Sequence, residues 1–96
     1  MKKGDKLFIR IDHRIEENEF GSKDYDDHIE YLQGIASERF FLGGGFVNQT
    51  GGMIIYKAKN IEEAHLIAKK DPLILRNLYS YELVEWNLVI VSDLAK

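Results

Sequence analysis

His28 and Asp71 are the residues of this chain best suited to move a proton. At about 100° per residue, His28 falls between Leu32 and Ile35 in the apolar stripe of a helix expected over residues 24–39. Its imidazole therefore points at a sheet or at the edge of a cleft. Two readings follow from that placement: a core histidine satisfied by a backbone carbonyl, or a general acid or base working near neutral pH. Asp71 precedes Pro72, and an Asp-Pro pair commonly ends a helix in a turn. An acid at the negative end of a helix dipole is nevertheless disfavoured, by roughly 0.5 kcal/mol, which points to another partner. A carboxylate beside His28 would orient the ring and raise its basicity.

The remaining polar residues are less informative. Arg10 and Asp12 read either as an ion pair on the sheet face opposite the helices or as groups near a pocket mouth. His13 reads as an exposed loop residue and His65 as a partly solvated residue on the flank of a second helix. The spacing of the three histidines matches no metal signature, so no metal site is expected. Gly43-Gly44-Gly45 lacks the trailing Gly-Lys-Ser/Thr of a phosphate loop and precedes no helix. It reads as a bend or bulge in a strand, or as a kink where a ligand can approach the backbone. The aromatic residues Tyr25, Tyr31, Phe40, Phe41, Tyr79, Tyr81 and Trp86 read as core and interface.

The elements that would position these groups follow from periodicity. Lys6 to Asp12 alternates, with Leu7, Ile9 and Ile11 on one side and Phe8, Arg10 and Asp12 on the other, which predicts a strand. Residues 13–23 are polar and read as a loop. Asp24 can cap the helix that carries Tyr25, Ile29, Leu32 and Ala36 at helical spacing, and Gly34 is tolerable inside it where backbone packing is close. Residues 40–47 and 53–57 predict a hairpin across the turn at 48–52. Asn60 caps a second helix with Glu63 in a capping box, and Ile61, Ala64, Ile67 and Ala68 form its buried stripe. Pro72 stops that helix, and Leu73 to Leu78 allows a further short helical turn. Tyr79 to Val91 reads as a long last strand and residues 92–96 as a loose tail. The order β-α-β-β-α-β predicts two helices on one face of a four-stranded antiparallel sheet, in strand order 4-1-3-2. Phe8 and the apolar residues of the last strand would then lie on the uncovered face, which a homodimer packed sheet to sheet would bury.

Composition narrows the function classes. Ninety-six residues suit one domain. A net charge of −3 argues against a nucleic-acid partner, which calls for a basic patch. With no cysteine, disulfide and thiolate chemistry are excluded. No apolar run approaches the roughly 20 residues of a membrane span, and the start lacks a signal-peptide core, so a cytoplasmic protein without a membrane partner is expected.

Four segments together resemble the YciI-like family: Asp27-His28-Ile29-Glu30-Tyr31-Leu32, Leu42-Gly43-Gly44-Gly45, Ile61-Glu62-Glu63-Ala64 through Lys70-Asp71-Pro72, and Tyr81-Glu82-Leu83-Val84-Glu85-Trp86. The resemblance implies one ferredoxin-like domain over residues 1–96, within the dimeric α/β-barrel superfamily. It also implies that His28 and Asp71 are an acid–base pair in a small pocket, with relatives linked to dechlorination or lactone isomerisation of aromatic breakdown products. Arg10, Tyr31, Gly44 and Gly45 are the expected substrate contacts, and no cofactor is expected. Two departures from the family pattern stand out. Acids, Asp24 and Asp26, replace a basic residue before the helix histidine, and Arg76-Asn77 replaces a small Gly-containing segment after the Asp-Pro pair. The leading expectation is a lyase or isomerase acting on a ring-derived small molecule. The alternatives are a non-catalytic ligand-binding or regulatory homodimer and a cofactor-free monooxygenase.

Overall fold

The structure is a computed structural model that describes residues 1–95. Its elements run β1 (Lys6–Arg14), α1 (Ser22–Ala36), β2 (Phe41–Gly45), β3 (Gly52–Tyr56), α2 (Ile61–Lys69), α3 (Pro72–Leu75) and β4 (Tyr79–Asn87), followed by a 3-10 turn at Asp93–Ala95. The four strands form one antiparallel sheet in the order β2-β3-β1-β4, the order expected, with the helices on one face. This is the ferredoxin-like α+β fold. No helix among the described residues is long and apolar enough to cross a membrane. Of the tail expected to be loose, residues 93–95 form the 3-10 turn, and Lys96 lies outside the described residues.

The face assignment of β1 is the main correction. Phe8 is 2 % exposed and packs with Leu32 of α1, Ile54 and Tyr56 of β3, and Ala64 and Ile67 of α2. Phe8, Arg10 and Asp12 therefore lie under the helices, and Leu7, Ile9 and Ile11 take the other face. The cleaner apolar alternation misled because the helix-covered side of this strand carries two charges. Paired residues share a face, so Leu42, Met53, Ile55, Val84 and Trp86 join Ile9 and Ile11 on the open side.

The ends of the elements follow local chemistry. α1 begins at Ser22, two residues before the expected start, because the Asp24 carboxylate accepts the Gly21 N–H at 3.0 Å from inside the first turn. In α2, Asn60 accepts the Glu63 N–H at 2.9 Å as expected, while Glu63 reaches one residue further back, to the Lys59 N–H at 3.0 Å. Gly34 faces open space, with nothing within 4 Å of where a Cβ would stand, so no close backbone packing calls for it. β2 carries no bulge: its pairs run unbroken from Phe41↔Tyr56 to Gly45↔Gly52. The tight turn before β3 is what needs glycine. Gly51 has φ +96°, and a Cβ there would stand 2.4 Å from the Asp12 carbonyl oxygen.

Candidate active site

Asp71 is fully buried at the junction of α2 and α3, where it is the N-cap of α3. Its Oδ1 accepts the Leu73 N–H at 3.0 Å, the ordinary service of an N-cap carboxylate. This removes the conflict with the end of α2, because the same residue starts the next helix and Pro72 takes its first position. The backbone of this turn thus aims the carboxylate inward, toward α1 and β1.

Two cationic or protonated donors meet it there. Arg10 Nη2 donates to Asp71 Oδ2 at 2.8 Å, and His28 Nδ1 lies 2.8 Å from each Asp71 oxygen. Arg10 also grips Asp12, from Nε to Oδ1 at 2.7 Å and from Nη2 to Oδ2 at 2.9 Å. Its guanidinium, 5.9 Å from the Tyr81 ring centroid, is completely enclosed. Buried ions are tolerable only when paired in this way.

The electrostatics are consistent with ionised partners. Burial is the largest single influence on Asp71 and pushes its carboxyl up. The hydrogen bonds and charges of His28 and Arg10 together outweigh it and hold the group below the ordinary aspartate value. Burial likewise pulls Arg10 down, and Asp12 and Asp71 reverse the effect to leave it raised. An ionised carboxylate only accepts, so the proton of the His28–Asp71 bond sits on Nδ1. When the ring carries only that proton, its lone pair is on Nε2.

His28 borders a cavity of about 420 Å³ between α1 and the sheet. Tyr25, Ile29, Leu32 and Ala36, the helical stripe read from the sequence, line one wall. Phe41, Ile54 and the three glycines on the helix-covered side of the hairpin, Gly43, Gly45 and Gly52, line the other. Those glycines leave a stretch of sheet without side chains, and the cavity occupies the space they free. Phe20 and Tyr79 meet edge to face at 5.6 Å and close one end. Arg14 lies over both rings and donates to the carbonyls of Ile15, Asn18 and Leu78, which ties the loop after β1 to the start of β4.

The site therefore brings together some of the residues singled out in the sequence and separates others. His28 and Asp71 are directly bonded. Arg10 belongs to the same network but does not line the cavity, and its Nε and Nη2 are bonded to carboxylates, so it supports Asp71. It also lies on the helix-covered face, not on the open one. Gly44 and Gly45 both border the cavity, although Gly44 belongs to the opposite face of β2. Tyr31 does not border it, because its hydroxyl donates to the Ile67 carbonyl at 2.8 Å and ties α1 to α2. Asp12 and Gly43 line it as well, in keeping with their readings as a pocket-mouth group and a ligand-approach kink, and Phe20 lines it without having been anticipated as a contact. Phe20 is the one aromatic residue in a largely polar loop, and that was the available signal. His65 bonds the Tyr81 hydroxyl at 2.8 Å, and His13 pairs with Glu82 on the surface. Among the described residues no three His, Asp or Glu side chains cluster as metal ligands would.

Comparison with known proteins agrees with this architecture. Residues 7–87 match the model of the YCII-related domain. The chain is 31% identical over 70 residues to the uncharacterized protein YjpA of Bacillus subtilis (strain 168), covering 72% of this chain and 82% of that one. Among solved structures it resembles the 5-chloro-2-hydroxyhydroquinone dehydrochlorinase TftG of Burkholderia phenoliruptrix AC1100, determined in complex with 2,5-dihydroxybenzoquinone. That likeness has a TM-score of 0.67 at 21% identity and covers 84% of this chain and 93% of that one, which is a likeness of fold. A family match that spans all four strands and the whole His28–Asp71 constellation places this chain in the YCII-related domain family.

Proposed function

We propose that this protein is a small-molecule enzyme, a lyase or isomerase in which His28 moves a proton on a ring-derived metabolite and Asp71 holds and stabilises the ring that does so. One observation carries the reading. The His28 ring is fixed through Nδ1 by a buried carboxylate that Arg10 and the Leu73 amide hold in turn, while the ring borders a cavity of about 420 Å³. A structural histidine needs a partner but not a vacant cavity beside it. The volume lies in the range that small-molecule sites occupy, and aromatic walls at Phe20, Tyr25, Phe41 and Tyr79 suit a flat ring. The solved relative of the same fold, a dehydrochlorinase bound to a dihydroxybenzoquinone, makes such rings the first compounds to try.

The chemistry needs no group beyond the side chains. Nε2 takes a proton from a hydroxyl or carbon of the substrate, and Asp71 stabilises the imidazolium that forms. In an isomerisation the proton returns at another ring position as the double bonds shift. In an elimination it leaves with a halide as HX, and the electrons of the broken C–H or O–H bond form the new double bond.

The open face of the sheet supports a second part of the proposal, a homodimer. Leu42, Met53, Val84 and Trp86 are 57%, 38%, 50% and 42% exposed on the same face of the sheet, the kind of apolar face that marks an interaction surface. A second copy, sheet against sheet, would cover it.

A panel of hydroxylated and halogenated six-membered rings, assayed for product and for released halide, tests the activity. His28→Ala is expected to lower turnover by a factor of about 100 or more while ring binding survives. Turnover equal to the parent in that variant would contradict the acid–base role. Rings that bind with no turnover in either protein would replace it with the ligand-binding reading, and oxygen consumed during turnover would replace it with a cofactor-free monooxygenase.

A further inference from the structure

Two clamps join the start of α1 to residues 71–76. The inner one is the buried His28–Asp71 bond. The outer one lies at the surface. Arg76, the C-cap of α3, donates from Nη1 to Asp24 at 2.9 Å and from Nη2 to Asp27 at 2.8 Å. Asp24 also takes the Gly21 amide at 3.0 Å, and Asp27 also takes Lys23 Nζ at 3.0 Å. The Gly21 amide and Arg76 hold the Asp24 carboxyl below its ordinary value, and Arg76 and Lys23 do the same for Asp27. The outer clamp is therefore fully charged at neutral pH.

The spacing couples the clamps. Asp27 is next to His28, and Asp24 is one helical turn before it. At the other end, α3 is a single turn, with Asp71 capping its start and Arg76 its end. Arg76 and Asp71 thus stand at the two ends of one short element that faces α1. Tyr25, His28 and Leu73 line the cavity from the segments the clamps join. A half-exposed ion pair adds little stability. A guanidinium that bridges two carboxylates on another element does fix a separation, and proton transfer is sensitive to such separations.

We propose that Arg76 is a positioning residue that sets the spacing of α1 and α3 and, through it, the His28–Asp71 geometry at the cavity. The proposal rests on the acid–base reading of that pair. The test compares the parent with Arg76→Gln and Arg76→Lys. The first readout is solvent exchange of the His28 Nδ1 proton by NMR on the free protein. It requires no substrate. Arg76→Gln is expected to speed exchange about tenfold by loosening the local contact, with Arg76→Lys intermediate. The thermal midpoint should stay near the parent value. The second readout, on any ring that turns over, is a kcat lowered about 3- to 10-fold with KM unchanged. Unchanged exchange and kcat in Arg76→Gln, with His28→Ala inactive, would reduce Arg76 to an ordinary surface pair. An active His28→Ala would instead overturn the acid–base reading, and the exchange rates would still decide whether Arg76 sets the geometry.

Discussion

The two sides of β1 invert the usual relation between polarity and helix cover. Leu7, Ile9 and Ile11 form the apolar side, yet they lie on the sheet face without helices. Phe8, Arg10 and Asp12 form the mixed side, yet they lie beneath α1 and α2, and Arg10 is completely enclosed. Burying a guanidinium and two carboxylates costs several kcal/mol per ion before pairing offsets it. A fold needing only stability would have put the apolar side inward. This strand accepts the cost and gains a fixed carboxylate at His28.

The largest effect should come from removing the centre of the buried side. Arg10→Met leaves two carboxylates enclosed without their cation and should destabilise the subunit by about 3–5 kcal/mol, read by urea denaturation. A loss below about 1 kcal/mol would mean that the network relaxes into water and does not fix Asp71.

Asp71→Asn is milder and has a pH signature. The Asp71 carboxyl is lowered in the folded state, so its contribution is fully present above its ordinary value of 3.8 and is lost as pH falls from there through the folded value. The parent should therefore lose stability progressively below about pH 4, and the variant should lose that part of the slope. Parallel acid limbs would contradict the shift.

The open side should respond differently. Trp86→Glu changes a residue 42% exposed, so the subunit fold should survive by circular dichroism. The parent should scatter light as a dimer at micromolar concentration and the variant as a monomer. A monomeric parent would leave the apolar side without the partner proposed for it.

Much of the fold was legible because periodicity and capping signals agreed. The strand order, the Asn60 cap and the stripe of α2 follow from local rules that tertiary packing did not override. The His28 and Asp71 positions were legible too, one from a polar residue in an apolar stripe and the other from an acid misplaced at a helix end. The face of β1 was not legible. Its alternation fixes which residues share a side but not which side is covered, and the pairing of Arg10 with an acid 61 positions away has no local trace. The glycines of β2 suggested a bulge. They serve instead to empty the space above a regular strand. Of the residues expected to depart from the family pattern, Asp24 before His28 and Arg76 after Pro72 are bonded to each other, which only the fold could show, while Asp26 has no bond to Arg76.

The most direct test of the central claim is the protonation of the His28 ring in the parent, by 15N NMR at a pH where the ring carries one proton. A carboxylate bonded to Nδ1 requires that proton on Nδ1, which leaves the lone pair on Nε2, the atom proposed as the base. The expected result is the Nδ1–H tautomer in the parent and a mixture of tautomers in Asp71→Asn. A parent ring protonated on Nε2 would mean that Asp71 does not hold His28, and the acid–base account would be contradicted at its first step.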